Sequence, residues 1–138
     1  MNNAVLNFKN GVLIFFSVLL LSFSTPYVYA QWIDVTPPNV SSNWKLFGIQ
    51  FISANEGWAV GRDSLNNTGV LLHCVNGAWT SVSPPGVSLD WGLVAVHFAS
   101  PNEGWAVGQD SFNRTGVLLH FSNGSWTLFP LPTLSTDW

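Results

Sequence analysis

The feature that most constrains how this chain can fold is an internal repeat of 47 residues. Gly57–Gly61, with the sequence Gly-Trp-Ala-Val-Gly, recurs as Gly104–Gly108. Residues 32–78 align with residues 79–125 without a gap, and 28 of the 47 positions are identical. A recent duplication is the simplest explanation of that identity. The chain is therefore expected to consist of copies of one small structural unit that stack on each other.

Tryptophan marks the same repeat. All eight Trp residues fall into three columns with the 47-residue spacing, namely Trp32, Trp79 and Trp126; Trp44, Trp91 and Trp138; and Trp58 and Trp105. The columns also show that residues 126–138 are the opening of a third unit. Large flat rings that recur in every unit are suited to filling the space between neighbouring sheets. We therefore expect Trp58, Trp79, Trp105 and Trp126 to be structural.

Each unit has the pattern of four short strands. In the second unit the apolar runs fall at 93–99, 104–108, 117–121 and 125–129. Asn123-Gly124, between the last two runs, is a favoured two-residue hairpin turn. Four short strands in about 47 residues are typical of a β-propeller blade. The predicted fold is thus all-β, with β-propeller-type four-stranded blades: two full repeats and the start of a third, an incomplete propeller. A stacked β-solenoid and a small sandwich are the alternatives.

The first thirty residues have the pattern of a secretory signal. Lys9 precedes an apolar run at 11–23, and Pro26 and Ala30 follow it. A charged start, a short apolar run and a small residue before the cleavage position indicate a signal peptide over 1–30. The run is shorter than the roughly 20 residues of a membrane span. The prediction is export to the periplasm or the extracellular space, with residues 31–138 as the mature chain. The alternative is an uncleaved anchor, so any membrane contact would be through this segment.

Composition excludes several classes of function. Lys and Arg number 4 against 7 Asp and Glu, which gives a net charge of −3. A nucleic-acid binder needs clustered cations, so no nucleic-acid partner is expected. Cys74 is the only cysteine, and the three histidines are spread over predicted strands. No metal site, no cofactor and no catalytic residue are predicted.

Repetition separates the candidate residues into two groups. His73 and His120 recur at equivalent positions, as do Asp63 and Asp110. A role needed in every unit, such as a turn, a cap or a hydrogen bond between blades, explains them; the alternative is a ligand site repeated in each blade.

The polar residues that do not recur are better candidates for specific binding. Lys45 and Cys74 belong to this group, and the candidate ligand-binding residues within it are Gln50, His97, Arg62 and Arg114. Gln50 and His97 lie on the first strand of their units, the strand that lines the central channel of a propeller. The alternative is that both are exposed polar residues without a ligand.

The motifs Asn-Glu-Gly-Trp-Ala-Val-Gly, Gly-Val-Leu-Leu-His and Asn-Gly-x-Trp resemble the blades of secreted bacterial β-propellers. The similarity over 32–138 is to the photosystem II stability/assembly factor-like group and to BNR/Asp-box-like repeat proteins. It implies the blade fold and a role in which the propeller surface holds a partner. The hairpin at 122–126 departs from the Asp-box, because it lacks the Asp and has a shorter spacing before Trp126.

Asp-box relatives also suggest a sialidase. That chemistry needs a Tyr nucleophile and a cluster of arginines, whereas residues 31–138 contain no Tyr and only Arg62 and Arg114. The expected function is therefore an exported, non-enzymatic binding or assembly module with a protein or glycan partner. It is either part of a longer propeller or a self-assembling one. The alternative is part of a sialidase-like or other glycoside hydrolase propeller whose catalytic residues are absent from these repeats.

Two blades are too few for a closed propeller, which uses about 4–8. Three copies of a two-blade chain would close a six-bladed ring, so a homo-oligomer is one expectation.

Overall fold

The computed structural model describes residues 34–36 and 38–132. The predicted signal segment 1–30, Trp32, and the last six residues of the third unit, which include Trp138, lie outside the described residues. The described chain is all-β, with two four-stranded antiparallel sheets and no helix among these residues. Accordingly, this part of the chain offers no helical segment with the length and hydrophobicity needed to traverse a bilayer.

The described residues form two open sheets with the 47-residue spacing, and the strands of each sheet pair in chain order. The fourth strand of each sheet begins at the last residue of one repeat and continues into the next. Sheet I contains β1 (Trp44–Ser53), β2 (Glu56–Asp63), β3 (Thr68–Val75) and β4 (Ala78–Val82). Sheet II contains β5 (Trp91–Ser100), β6 (Glu103–Asp110), β7 (Thr115–Ser122) and β8 (Ser125–Leu128). The prediction of four strands in each repeat is confirmed. Most strands extend beyond the predicted apolar runs, because the backbone ladder continues through the polar residues at their ends.

The turns are short and follow the sequence signals. The chain between β7 and β8 consists of Asn123 and Gly124, with φ values of 50° and 79°. Asn76 and Gly77 take 51° and 83° at the equivalent turn of sheet I. Positive φ at both central residues is the requirement that makes Asn-Gly favourable in a two-residue hairpin. The predicted hairpin turn is confirmed. Two residues, 54–55 and 101–102, also connect the first two strands of each sheet.

Side chains alternate between the two faces of each sheet, as the period of a strand requires. We call the front face the one that carries Trp44, Leu46, Ile49, Phe51, Ala59, Leu72 and Trp79 in sheet I, and Trp91, Leu93, Val96, Phe98, Ala106, Leu119 and Trp126 in sheet II. We call the back face the one that carries Trp58, Val60, Leu71, His73 and Val82 in sheet I, and Trp105, Val107, Leu118, His120 and Phe129 in sheet II.

The main core lies between the back face of sheet I and the front face of sheet II. The ring centroid of Trp58 is 5.2 Å from that of Phe121, 5.5 Å from that of Trp126 and 5.8 Å from that of Phe98. Nε1 of Trp58 and Nε1 of Trp126 are buried and find no acceptor among the described residues. Apolar and aromatic packing therefore holds these rings, each buried side chain contributing about 1.5–3 kcal/mol.

Candidate functional site

The front face of sheet I is apolar and only partly covered. Ala59, Val70 and Leu72 are buried in a small cluster against which Val40, Trp44 and Trp79 pack, whereas apolar side chains of β1 are exposed. Leu46 is 42% exposed, whereas Leu93, the same residue type one repeat later, is 0% exposed. Phe51 is 51% exposed, and its equivalent Phe98 is 5% exposed. The side chains that hold sheet II against sheet I are thus repeated on a face of sheet I that no other sheet of the described chain covers. A contiguous exposed apolar patch of this kind marks an interaction site.

The back face of sheet II is the second uncovered face. Val107 is 41% exposed there, whereas its equivalent Val60 in the core is 0% exposed. Phe129 is also exposed, and its ring meets Trp105 edge to face at 5.2 Å. The two uncovered faces are therefore different faces of the repeat, one front and one back.

Each uncovered region contains a shallow groove. The groove on the front face of sheet I has a volume of about 230 Å³, and it is lined by Val35, Pro38, Trp44, Leu46, Ile49, Ala59, Leu72 and Trp79. The groove beside the back face of sheet II has a volume of about 830 Å³, and its lining includes Arg114, Gly116, Leu118, Phe129 and Leu131. Both linings are mainly apolar, which suits contact with another apolar surface.

Gln50 and His97 are not brought together in one site. Nε2 of Gln50 donates to the backbone oxygen of Phe98 at 3.3 Å, and Oε1 of Gln50 accepts from the backbone nitrogen of Phe98 at 2.6 Å. The carboxamide thus joins β1 to β5 between the two sheets. His97 occupies the equivalent position in sheet II and is exposed on the uncovered side.

The two arginines lie in different surroundings. Arg62 pairs with Asp90, and both side chains are partly exposed. Asp90 lies just before β5, so the ion pair also connects the two sheets. Sequence reasoning missed Asp90, although a signal was present: Asn43 and Gln109, the equivalents of Asp90 and Arg62, are both neutral. Arg114, in the turn before β7, has a φ of 56° and lines the larger groove.

The repeated histidines are held inside their own sheets. Nε2 of His73 lies 2.9 Å from Oε1 of Glu56, and the ring stacks on Trp58 with centroids 4.1 Å apart. The second sheet repeats the arrangement, with His120 2.7 Å from Glu103 and stacked on Trp105 at 4.1 Å. Each imidazole therefore has a carboxylate partner and an aromatic partner within its own repeat.

Asp63 is buried and accepts several hydrogen bonds at the start of its loop. The donors include Oγ of Ser41 at 2.8 Å, the backbone nitrogen of Leu65 at 2.9 Å and Nδ2 of Asn66 at 2.7 Å. Burial by itself raises the pKa of this carboxyl, but the hydrogen bonds outweigh it and hold the pKa below its ordinary value of 3.8.

The loop after β6 is built in the same way. The backbone nitrogen and Nδ2 of Asn113 donate to Asp110 at 2.9 Å and 2.8 Å. Burial again raises the pKa, and the hydrogen bonds from Asn113 and Ser88 lower it by more, so that the pKa of Asp110 also lies below 3.8. Within residues 34–36 and 38–132 no group of three or more His, Cys, Asp or Glu side chains is arranged to hold a metal ion.

The chain gives no significant match to a family model, a curated protein or a solved structure. The resemblance to secreted propellers stays a prediction from the repeated motifs.

The arrangement favours docking. Gln50, Arg62 and the repeated histidines and aspartates have partners within the chain. The uncovered front face of sheet I and back face of sheet II present aliphatic and aromatic side chains instead. Burying those side chains would release the same kind of free energy that holds the two sheets together.

Proposed function

We propose that the protein is an exported, non-enzymatic binding or assembly module built of propeller-type blades, and that its uncovered sheet faces dock on a partner. The observation that carries the proposal is the pair Leu46 and Leu93, identical in type and equivalent in position, of which the first is 42% exposed and the second 0% exposed. A side chain that forms a core in one repeat is available for contact in the other.

The chemistry of the front face of sheet I favours a protein surface over a glycan. Leu46 and Ile49 are aliphatic, and Phe51 stands beside them. Glycan sites rely on hydrogen-bonding groups around an aromatic platform, whereas aliphatic patches bury well against other apolar side chains. The partner is therefore a protein with a matching apolar face.

Two observations support the propeller-type arrangement. The strands of each sheet are ordered as they occur in the chain, and β5, the first strand of sheet II, packs against β1 and β2 of sheet I. That placement of first strands side by side suits the radial stacking of blades. The pattern of residues 1–30 supports export.

In-cell photo-crosslinking tests the proposal. A photoreactive amino acid is placed at Ile49 on the front face of sheet I or at Val107 on the back face of sheet II, in a host that exports the protein. Leu65 is the matched control, because it is 60% exposed against 61% for Ile49 but lies in the loop between β2 and β3. Adducts of discrete mass are expected from positions 49 and 107 and not from position 65. Equal labelling at all three positions, or no adduct, would refute a docking role.

Export has a separate readout. Mass spectrometry of the recovered protein is expected to show a chain that begins at Gln31. Recovery of the intact 138-residue chain from the cytoplasm would contradict this part of the proposal.

A further inference from the structure

The contact between the two sheets is made by unlike faces, the back of sheet I and the front of sheet II. The two faces against which no sheet of the described chain packs, the front of sheet I and the back of sheet II, are the same complementary pair. We propose that these faces bind each other in different copies of the chain, so that the protein associates head to tail through a repetition of its own internal interface. The inference rests on the proposed docking function and names the partner as a second copy.

The residues of the internal interface recur on the uncovered faces. Trp91, Leu93 and Phe98 fill the core from the front face of sheet II. The front face of sheet I presents Trp44, Leu46 and Phe51 at the equivalent positions. On the opposing side, Trp58 and Leu71 have identical counterparts in Trp105 and Leu118. A second copy therefore offers most of the side chains that form the internal interface, although Cys74 stands at the position of Phe121.

One of the polar contacts between the sheets, the ion pair, also has a matched counterpart. Inside the chain Arg62 on sheet I pairs with Asp90 at the start of sheet II. Between copies the equivalent pair would be Gln109 and Asn43, two neutral amides. If only one of these two positions carried a charge, that charge would be unpaired when the two faces bind, and burying an unpaired charge is costly. Both members of the pair differ together, so this pair of positions leaves no unpaired charge.

A glycine that recurs in both repeats points to the same contact. At Gly69 a Cβ would lie 2.6 Å from Cη2 of Trp91, because the Trp91 ring packs on this glycine. The equivalent Gly116 lines the larger groove, where a Cβ would meet only the tip of Leu131 at 3.1 Å. In the repeated interface the ring of Trp44 from the next copy lies over Gly116.

The contact between copies is expected to be looser than the internal one. The ring of Phe121, which packs on Trp58, is replaced by Cys74, and side chains are added at two close approaches. Lys45 stands where sheet II has Gly92, and a Cβ at Gly92 would come 2.9 Å from Cβ of Arg62. Ala95 stands where sheet I has Gly48, and a Cβ at Gly48 would come 3.1 Å from Cα of Ala95. Both changes add a side chain at a close approach, so association is expected to reverse on dilution while each copy stays folded.

Because the two contacting faces are different, association can continue beyond a dimer. A contact between two different faces leaves one of each free at the ends, and it forms a ring or a filament according to the rotation between copies. The purified wild-type protein is expected to gain mass with concentration in analytical ultracentrifugation.

Complementation of two variants gives the decisive test. Ile49→Asp places a charge on the front face of sheet I, and Val107→Asp places one on the back face of sheet II. Each variant alone is expected to stay monomeric. Their equimolar mixture is expected to form a dimer and nothing larger, because one variant keeps a working back face and the other a working front face. Leu65→Asp, in the loop, is expected to associate like the wild type. Urea unfolding of each variant shows that it is folded.

A charge-pair exchange provides a second measurement. Asn43→Asp with Gln109→Arg copies the internal ion pair onto the two uncovered faces. The double variant is expected to associate more tightly than either single variant, by roughly two- to fivefold for a partly exposed pair. The two positions meet only if a front face binds a back face.

Several results would overturn the inference. These are a wild-type protein that stays monomeric at all soluble concentrations, a variant mixture that stays monomeric, and loss of association from Ile49→Asp but not from Val107→Asp, which would indicate front-to-front pairing. If the purified protein is monomeric but photo-crosslinks in the cell to a protein of different mass, the inference fails and the docking function stands.

Discussion

Replacing one leucine at two equivalent positions measures how much the neighbouring sheet contributes to stability. Leu93→Ala removes three side-chain carbons from a site that is 0% exposed. At ~0.8 kcal/mol for each carbon the transfer cost is about 2.4 kcal/mol. The cavity left between two closely packed sheets raises the expected loss to about 3–5 kcal/mol of unfolding free energy.

Leu46→Ala is the matched variant. With 42% of Leu46 exposed, the transfer cost falls to ~1.4 kcal/mol and no closed cavity is formed. Urea unfolding followed by tryptophan fluorescence, at a protein concentration where the chain is monomeric, gives both free energies. A difference of at least 1 kcal/mol is expected. Equal losses, or a larger loss at Leu46, would refute the assignment of the core to the space between the back of sheet I and the front of sheet II.

Three further changes test other contacts. Gly69→Ala is expected to lower the urea midpoint because the new methyl group meets the Trp91 ring, whereas Gly116→Ala should leave the midpoint of the monomer nearly unchanged; equal effects would contradict this. Gln50→Leu removes both hydrogen bonds to the backbone of Phe98 and is expected to cost about 1–3 kcal/mol in the same assay. The folded-state pKa of Asp110 lies below the ordinary value of 3.8, so its stabilisation is present above that pH and is lost as the pH falls through the folded pKa. The wild-type midpoint should therefore drop more steeply than that of Asp110→Asn below about pH 5, and parallel profiles would contradict the assignment.

Local structure was predictable from the sequence because it depends on local signals. Apolar runs marked the strands, and Asn123-Gly124 marked a turn whose positive φ values few other residues accept. The ends of the strands were harder to predict. The run at 104–108 extends to Glu103–Asp110, because backbone pairing with β7 continues through polar residues that periodicity does not detect.

The partners of the polar residues could not be predicted, for a physical reason. Gln50 and Arg62 differ from their counterparts His97 and Gln109, and that difference suggested ligand contacts. In the structure both residues bond across to sheet II. The back face of sheet I packs against sheet II, whereas no sheet of the described chain packs against the back face of sheet II, so equivalent residues have different neighbours. The same reasoning explains why identical leucines differ in burial, since burial depends on the adjacent sheet and not on the local sequence.

The two-residue connections at 54–55 and 101–102 have a consequence for how the chain finds its fold. Because the repeats share 28 of 47 residues, β1 could pair with β6 as favourably as with β2, in the same register. Side-chain contacts differ little between the β1–β2 and β1–β6 pairings. The entropy of loop closure therefore decides which pairing forms. Joining adjacent strands closes a loop of two residues, whereas the exchanged pairing must close one of about fifty, at a cost that grows with loop length. Each hairpin is therefore expected to form before the sheets meet, and a longer first connection would favour misfolded chains with exchanged strands.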